Sequence, residues 1–260
     1  MGGQAYTAMN ILSFSSCDTP SEVIQEILQG ALDKITEANA ISCGGHTLES
    51  KELRFGLSVT GIVDKNHFAQ NKCLEIDDIL LLTKPLGTGI LTTGIRGKWE
   101  NWEKAEQELF NYATKLNILG AKLIQEFHIK AATDITGFGL LGHLLEMAKA
   151  SQKSIHINFA SLPFMQFTKE YAQNGLIPKR CYDNFNFTKH TVLYGENLSS
   201  LDTLLCNDPQ TSGGLILACK EKDIPIIQKR LQENGELACV IGSVKALATQ
   251  NKQKPFLYVQ

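Results

Sequence analysis

A single stretch, residues 131–147, constrains the fold of this chain more than any other part of the sequence. An apolar run from Ile129 to Thr133 predicts a buried strand, and it leads directly to a lone acid, Asp134. A glycine-rich turn, Gly137-Phe138-Gly139, comes next. Apolar residues then recur at the spacing of a helix: Leu140, Leu141, Leu144, Leu145, Met147 and Ala148. The stretch therefore predicts a strand, an acid, a flexible turn and a helix, in that order.

Two interpretations of Asp134 fit this spacing. In the first, the turn directs backbone N–H groups and the positive end of the helix towards a ligand above the strand. A carboxylate there would repel a bare phosphate, so Asp134 would hold Mg²⁺ and the Mg²⁺ would hold phosphate oxygens. In the second, Gly137 and Gly139 only make a tight turn and Asp134 caps the helix. The spacing alone favours neither. His143, four residues after Gly139, lacks metal-ligand spacing, and a packed or helix-start histidine is the more frequent case.

Composition and charge narrow the class of protein. A chain of 260 residues holds one large domain or two modest ones, and a hydrophobic content of 43% is ample for a core. The net charge of −2 and the lack of a sustained Lys/Arg run argue against nucleic acid as a partner. No apolar run in the sequence approaches the roughly 20 residues of a membrane-spanning helix. We therefore expect neither a nucleic acid nor a membrane as a partner.

Cysteine usage indicates the compartment. The seven cysteines include no C-x-x-C pair, and such a set describes neither a disulfide framework nor a zinc site. Most of them lie in apolar runs, where a free cysteine packs as a small hydrophobic side chain. This usage is typical of a reducing setting and predicts a cytoplasmic location.

The first part of the chain predicts three strands and one helix. The strands are Ala5–Phe14, Ala40–Cys43 and Leu53–Val63. The helix begins with Thr19 as N-cap, Pro20 at the first helical position and Glu22 completing a capping box. The second strand ends on Gly44-Gly45-His46. A polar connection, residues 64–77, follows, and the boundary between two domains is placed between residues 76 and 77.

The second part mixes strands and helices throughout. Strands are predicted at Ile79–Thr83, Ile129–Thr133, Ile155–Phe159, Leu215–Cys219 and Ala238–Val244. Helices are predicted at residues 102–119, 139–148, 163–174 and 223–233, and residues 178–197 are predicted to be irregular. Such a mixture is typical of an α/β or α+β fold.

Three further stretches contain residues suited to ligand binding, and each has a plainer structural interpretation. Gly44-Gly45-His46-Thr47 lets a backbone approach phosphate closely, with His46 adding a hydrogen bond, but an isolated Gly-Gly is more often a plain turn. Lys84 could hold an anion, although the sequence around it lacks P-loop spacing and a surface lysine is more frequent. The polar segment Asp208–Gly214 hints at a buried hydrogen-bond network at a domain joint, although local side-chain turns alone would explain it.

Taken together, these stretches resemble the selenophosphate synthetases (selenide, water dikinases), a family within the aminoimidazole ribotide synthetase superfamily. The resemblance rests on six blocks in the family's order and at family-like separations: Met1–Gly3, Gly44–Thr47, Phe55–Gly61, Leu81–Gly89, Ala132–Leu144 and Asp208–Gly214. Each block is weak alone, and the set is specific. The last block, Asp-Pro-Gln-Thr-Ser-Gly-Gly, favours this family over its superfamily relatives.

The resemblance implies a fold, a reaction and site residues. The fold is an α/β (α+β), two-domain fold of the aminoimidazole ribotide synthetase type. The reaction converts ATP, selenide and water into selenophosphate, AMP and phosphate, with Mg²⁺. By position, Asp134 matches a family magnesium ligand, and Gly44, Gly45 and His46 match a nucleotide-contacting segment that reaches across a dimer interface. The implied cofactors and partners are therefore Mg²⁺, ATP, selenide and a second copy of the chain.

The chain departs from the family pattern ahead of Met1. In the family, Met-Gly-Gly closely follows an Asp that binds metal and nucleotide. Earlier still come a glycine-rich nucleotide segment, further metal-binding acids, and the catalytic Cys or selenocysteine with its nearby Lys. The resemblance therefore implies that this segment is missing and that no catalytic residue lies in the chain. Cys17 is not expected to be the nucleophile, because it follows the first strand, where the family has no catalytic residue.

These observations leave a preferred organisation and three open functions. Residues 1–76 are predicted to be an incomplete N-terminal ATP-binding and dimerisation domain, and residues 77–260 a C-terminal α+β domain. The chain is then the body of a selenophosphate synthetase, a non-catalytic module that binds nucleotide or Mg²⁺ and dimerises, or another ATP-dependent synthetase of the superfamily. A half domain leaves strand edges and apolar faces unpaired, so dimerisation through Ala5–Val63 is expected.

Overall fold

The computed structural model of the protein describes residues 1–247 and 255–260. These residues form two compact units. The first consists of Gly2–Asn66, and the second consists of Met1 together with His67–Gln260. The chain passes from one unit to the other inside the polar connection that the sequence indicates. The division into domains between residues 76 and 77 stays a prediction.

The first unit is a three-stranded sheet with one helix. Its elements are β1 (Gln4–Phe14), α1 (Ser21–Glu37), β2 (Ile41–Glu49) and β3 (Arg54–Ile62). The strand order is β2-β1-β3, with β1 parallel to β2 and antiparallel to β3. Ala8 and Leu12 on β1 are buried, whereas Met9 and Ile11, which alternate with them, are about half exposed (48% and 52%). One face of β1 is therefore covered and the other presents apolar side chains to solvent.

The start of α1 corrects the predicted capping box. Pro20 is the N-cap residue, with an extended backbone (φ −58°, ψ 142°), and no side chain caps the helix. Because Pro20 itself lies at the cap position, Thr19 lies one residue too early to receive the amides of the first turn. Thr19 and Glu22 therefore do not form the reciprocal pair that the sequence predicts.

The second unit is built on a seven-stranded sheet, counted over the described residues. Its strands are β4 (Ile79–Leu82), β5 (Ala132–Asp134), β6 (Lys153–Ile157), β7 (Val192–Tyr194), β8 (Leu215–Cys219), β9 (Cys239–Ala246) and β10 (Leu257–Val259). They lie in the order β5-β8-β4-β9-β6-β10-β7. The pairings from β5 to β6 are antiparallel, and those of β10 with β6 and β7 are parallel. β5 therefore lies at one edge of this sheet.

Eight α-helices accompany this sheet in the described chain. They are α2 (Thr88–Arg96), α3 (Trp102–Ala113), α4 (Ile118–Glu126), α5 (Gly139–Ser151), α6 (Thr168–Gln173), α7 (Lys179–Thr188), α8 (Ser200–Leu205) and α9 (Ile224–Glu233). Short 3₁₀ turns occupy Phe159–Ser161 and Glu221–Asp223. Over these residues, no helix combines the length and the apolar character that a membrane crossing requires.

Several predicted elements of the second unit are wrong. The single helix predicted at residues 102–119 is two helices, because α3 ends at Ala113 and α4 begins only at Ile118. The stretch 178–197, predicted to be irregular, contains α7 and β7. The sequence of α7 carries few aliphatic residues and buries polar ones instead, so hydrophobic periodicity does not reveal it.

Both faces of the central strands are covered. On one face, Leu80 and Leu82 of β4 belong to a core cluster with Leu140 and Leu144 of α5. On the other face, Leu81 belongs to a second cluster that includes side chains of α4 and α9: Leu123, Ile124, Ile227 and Leu231. Strands buried on both faces have continuous apolar sequences rather than alternating ones. This packing holds α5 firmly against the sheet beside the end of β5.

Candidate functional site

Asp134 is the last residue of β5. Ala132 and Thr133 are buried, whereas Asp134 is exposed at the edge of the sheet. Phe138 is the N-cap residue of α5, and no side chain caps that helix. The interpretation of Asp134 as a helix cap is therefore wrong. Within residues 1–247 and 255–260, no donor forms a hydrogen bond with the Asp134 carboxylate, so its oxygens have no protein partner to displace.

The turn that follows Asp134 is held by backbone hydrogen bonds from a distant segment. The Ile135 amide donates to the Gly214 carbonyl (3.0 Å), and the Gln210 amide donates to the Thr136 carbonyl (3.0 Å). Gly139 has a left-handed backbone (φ +68°), and a Cβ there would lie 2.8 Å from the Asp208 carbonyl oxygen. A side chain at residue 139 would therefore be both strained and obstructed. The conformation of the turn is determined mainly by contacts with residues 207–214.

Two amides at the start of α5 already have protein acceptors. The Gly139 amide donates to the Thr136 carbonyl (2.9 Å), and the Leu141 amide donates to the Cys206 carbonyl (3.4 Å). The sequence analysis expects this helix start to direct its amides towards a ligand. Because these two amides are engaged, fewer donors are left for an anion. The exposed carboxylate of Asp134 is therefore the candidate binding group of the turn.

His143, in the second turn of α5, reaches back to the same loop. Its side chain is buried, and its Nε2 accepts a hydrogen bond from the Thr136 amide (3.1 Å) and lies 3.2 Å from Thr136 Oγ1. Burial lowers the pKa of His143, although the charges of Asp134 and Glu146 oppose this shift. A neutral imidazole that accepts through Nε2 carries its proton on Nδ1. His143 is therefore a packed histidine with a defined hydrogen-bonding role.

Asp208 is the centre of a buried polar network. It is 1% exposed, and its Oδ2 accepts hydrogen bonds from the Gly89 amide (3.1 Å) and from Gln210 Nε2 (2.9 Å). The Cys181 thiol donates to Oδ1 (3.4 Å). Burial raises the pKa of Asp208 to about 7, even though these donors act to lower it. The carboxyl group is enclosed by protein and is a structural group rather than a metal ligand open to solvent.

Gln210 completes the start of α2. Its Oε1 accepts hydrogen bonds from the amides of Gly87 (3.1 Å) and Thr88 (3.3 Å). With Asp208 on the Gly89 amide, two side chains from one distant segment satisfy the first amides of this helix. The buried network suggested by the sequence is thus present. Its members all belong to the second unit, and a position at a domain joint stays a prediction.

Lys84 is neither a surface lysine nor an open anion site. It is 5% exposed, and its Nζ donates to the carbonyls of Lys115 (2.6 Å) and Ser212 (2.9 Å). A buried ammonium group needs such partners, because its desolvation is costly. Both interpretations given in the sequence analysis are therefore wrong for Lys84, which ties β4 to the segment before β8.

The glycine pair in the first unit lies inside β2, not at its end. Ala8 pairs with Ser42 and Asn10 pairs with Gly45, so β2 has one extra residue at this point, a β-bulge. Gly44 has a left-handed backbone (φ +88°), and a Cβ on Gly45 would overlap the Asn10 carbonyl oxygen. The predicted plain turn is therefore wrong, and both glycines have a structural reason. The role of Gly44, Gly45 and His46 in nucleotide binding stays a prediction.

The described residues do not form a preformed metal centre around Asp134. Gly44, Gly45 and His46 lie on β2 in the first unit, and Asp134 lies in the second. Across the described ranges, no group of three or more His, Cys, Asp or Glu side chains could hold a metal ion. Asp134 is thus a single carboxylate beside a turn held by backbone hydrogen bonds.

One residue that contacts this turn was missed by sequence reasoning. Asn184 on α7 is 2% exposed and donates hydrogen bonds from Nδ2 to the carbonyls of Gly137 (3.0 Å) and Asn207 (3.0 Å). A usable signal exists in the sequence, since Cys181, Asn184 and Thr188 are spaced three and four residues apart. They form one buried, largely polar helix face.

Family models match most of the chain. Residues 75–250 match the C-terminal domain of AIR synthase related proteins, and residues 1–63 match the N-terminal domain of the same family. The matches agree with the mixed α/β structure of both units. They confirm the predicted fold of the aminoimidazole ribotide synthetase type.

Curated relatives and solved structures extend this likeness. The chain is 44% identical over 218 residues to the selenide, water dikinase of Nitratidesulfovibrio vulgaris (strain DP4), covering 84% of this chain and 62% of that protein. It is 42% identical over 244 residues to the selenide, water dikinase of Campylobacter jejuni (strain NCTC 11168), covering 94% and 70%. The crystal structure of the hydrogenase maturation protein HypE in complex with ATP superposes with a TM-score of 0.69 at 16% identity, covering 99% of this chain and 70% of that one. The chain thus spans about two thirds of the length of these proteins.

Proposed function

This chain belongs to the selenide, water dikinase family of AIR synthase related proteins, and from that premise we propose that it forms the body of a selenophosphate synthetase. The reaction of such an enzyme converts ATP, selenide and water into selenophosphate, AMP and phosphate. One observation carries the proposal. Asp134 stands exposed at a strand end before a fixed glycine turn, in a chain 42% identical to the Campylobacter jejuni enzyme.

ATP is the proposed nucleotide. The names of the relatives indicate phosphoryl transfer to selenide and water, and a protein of the same fold has been crystallised with ATP. We assign nucleotide contacts to Gly44, Gly45 and His46 from the family resemblance. The exposed position of His46 on β2 supports this assignment.

Asp134 fits Mg²⁺ as one ligand among several. Mg²⁺ prefers oxygen ligands, and at nucleotide sites it takes one or two carboxylates together with phosphate oxygens and waters. The Asp134 carboxylate is exposed and has no competing donor in the described chain. When bound, the ion would neutralise charge on the phosphates. Asp134 would hold the ion, and the turn that follows would fix the position of the carboxylate.

A single carboxylate does not suffice for the complete reaction. Phosphoryl transfer from a triphosphate concentrates negative charge, and its enzymes use metal ions with several protein ligands. The described residues offer no cluster of three or more His, Cys, Asp or Glu side chains that could hold a metal ion. We therefore expect the 260-residue chain by itself to bind Mg-nucleotide without forming selenophosphate. This same observation favours a non-catalytic nucleotide-binding module as the second candidate function.

Phosphorus NMR tests whether the chain alone is catalytic. The chain is incubated with Mg-ATP and selenide, and the spectrum is followed for selenophosphate and AMP. We expect neither product from the chain alone. If both products form, the expectation of inactivity is wrong and the chain is a complete catalyst.

A binding measurement tests the role of Asp134. Titration with a non-hydrolysable ATP analogue is carried out with and without Mg²⁺, for the native chain, for Asp134→Asn and for Asp183→Asn, an exposed control on α7. We expect Asp134→Asn to weaken Mg-dependent binding at least about tenfold, and Asp183→Asn to leave it unchanged. Native-like binding by Asp134→Asn would refute the proposed site.

A further inference from the structure

The position of the Asp134 carboxylate depends on the backbone that follows it. Asp134 ends a three-residue edge strand, and no hydrogen bond to its own carboxylate restrains it within the described residues. Its backbone is held on one side by the pairing of β5 with β8 and on the other by the conformation of Ile135 and Thr136. A group that fixes those two residues therefore helps to fix the backbone from which the carboxylate projects.

Four of the polar groups in Ile135 and Thr136 have defined partners along the chain. The 207–214 segment accepts from the Ile135 amide through Gly214 and donates to the Thr136 carbonyl through Gln210. The other two are the Thr136 amide and hydroxyl, which lie 3.1 and 3.2 Å from the Nε2 atom of His143, and this atom accepts from the amide. A single side chain thus completes the fixation of the turn.

His143 stands where packing alone would favour an apolar residue. Its neighbours on α5 are Leu140, Leu141, Leu144 and Leu145, which are all buried, and His143 itself is 8% exposed. A polar ring in such a position is costly unless its nitrogen atoms are hydrogen-bonded. In the described part of the chain, the hydrogen-bond partners of this imidazole are both atoms of Thr136. The polar function of the imidazole is therefore to accept the hydrogen bond of the turn after Asp134.

We propose that His143 is a positioning residue: by accepting the Thr136 amide it presents the Asp134 carboxylate to a divalent cation. This inference rests on the proposed function, because it takes Asp134 as the ligand. His143 does not touch the cation. It acts as an outer partner that orients the ligand, and the loss of such partners typically weakens metal binding by about ten- to a hundredfold.

Two polar variants of similar size test this geometry. In His143→Gln, the side-chain oxygen can lie where Nε2 lies and accept the Thr136 amide. In His143→Asn, the side chain is shorter and places its oxygen near the position of Nδ1. That oxygen is too far from the Thr136 amide to accept its hydrogen bond. Both variants keep a polar amide at residue 143. They differ mainly in whether the side-chain oxygen is long enough to accept from the Thr136 amide.

The probe is Mn²⁺, measured by electron paramagnetic resonance with the full chain and a non-hydrolysable ATP analogue. We expect His143→Gln to bind Mn²⁺ within about threefold of the native affinity and His143→Asn to lose about tenfold. The amide resonance of Thr136 gives an independent readout, with a native-like shift in His143→Gln and a displaced one in His143→Asn. Thermal unfolding of each variant shows that it is folded.

The outcomes distinguish this inference from the proposed function. If Asp134→Asn loses Mn²⁺ while both His143 variants bind it like the native chain, the inference is wrong and the site stands. Equal losses in His143→Gln and His143→Asn also overturn it, because reach would then not matter. If Asp134→Asn binds Mn²⁺ like the native chain, the proposed site itself fails.

Discussion

Asp208 links the stability of the second unit to pH. Burial raises its pKa from the ordinary 3.8 to about 7 in the folded protein. Between these two values the folded state keeps a proton that the unfolded state has lost. The stabilisation from this group is therefore fully present below pH 3.8 and is lost as the pH rises through about 7. The slope from this group is at most about 1.4 kcal/mol per pH unit.

Asp208→Asn tests this pH dependence. An asparagine oxygen can still accept from Gly89 and Gln210, and its amide nitrogen can face the Cys181 sulfur, so the packing is largely kept. We expect the free energy of unfolding to depend less on pH between 4 and 7 than in the native chain, by urea denaturation at several pH values. Asp183→Asn, on the exposed side of α7, should keep the native slope. A native slope in Asp208→Asn would contradict the assignment.

Residues of the candidate site differed in how well the sequence predicted them. Asp134 was predictable because its signal is local: an apolar run, an acid, a glycine turn and a helix are adjacent in the chain. Asn184 was not, because its partners are the carbonyls of Gly137 and Asn207, 47 and 23 residues away. Lys84 was mistaken for the same reason, since its Ser212 partner lies 128 residues along the chain. Local patterns predict a side chain's type of site but not its distant partners.

The β-bulge in β2 requires glycine at residues 44 and 45 for two different reasons, which alanine substitutions can test. Gly44 has open space around it but a left-handed backbone, so alanine there should cost about 1 kcal/mol through backbone strain alone. Gly45 lies against the Asn10 backbone, so alanine there has to push β1 and β2 apart and should cost more. We expect Gly45→Ala to be the more destabilising of the two variants, by urea unfolding monitored through amide signals of β1.

Gly30 provides the control for these variants. It lies within α1, with no atom near an added Cβ, so alanine there should be neutral or stabilise the helix by about 0.5–1 kcal/mol. If Gly44→Ala and Gly45→Ala reduce the free energy of unfolding equally, the close contact of residue 45 with the Asn10 backbone is not the reason for glycine there.

Elements with local signals were predicted, and elements completed by distant groups were not. α5 follows from its leucine spacing and β4 from its apolar run. α2 has the sequence Thr-Gly-Ile-Leu-Thr-Thr-Gly-Ile-Arg, rich in glycine and β-branched residues that are poor helix formers. Its start is stabilised by Asp208 and Gln210, which no window of sequence around α2 contains. Tertiary contacts override propensity there.

The sheet of the first unit exposes apolar side chains, and these lead us to predict a homodimer. Besides Met9 and Ile11, the exposed apolar side chains of its sheet are Tyr6, Ile41, Leu48, Phe55, Val59 and Ile62. So many exposed apolar side chains on one small sheet are typical of an interaction surface. We expect light scattering at micromolar concentration to give a homodimer formed through Ala5–Val63, and Ile11→Lys to shift it towards monomer. Phe110→Lys, at a 61% exposed residue of α3 in the second unit, should leave the dimer intact.

A stable monomer at micromolar concentration would contradict this prediction. So would a dimer that tolerates Ile11→Lys but is lost in Phe110→Lys. Analytical ultracentrifugation across a dilution series gives the dissociation constant for each variant.

The class of fold was predictable, whereas the sheet order was not. Alternating strands and helices in the sequence indicate an α/β or α+β protein, and the family models agree. The order β5-β8-β4-β9-β6-β10-β7 brings together strands that are far apart in sequence. β10 is three residues long and lies between β6 and β7, so its pairing depends on strands that already stand in place. Its own sequence is too short to specify that position.

The dependence of α2 on Asp208 and Gln210 has a consequence for the order in which the chain folds. These capping contacts span 119 to 123 residues, and the entropy of closing so long a loop has to be overcome before they form. We expect pulsed hydrogen exchange during refolding to protect the Thr88 and Gly89 amides after those of α5. Earlier protection would show that α2 nucleates by itself. During synthesis on a ribosome, more than a hundred further residues have to be added before Asp208 and Gln210 can bind the first amides of α2.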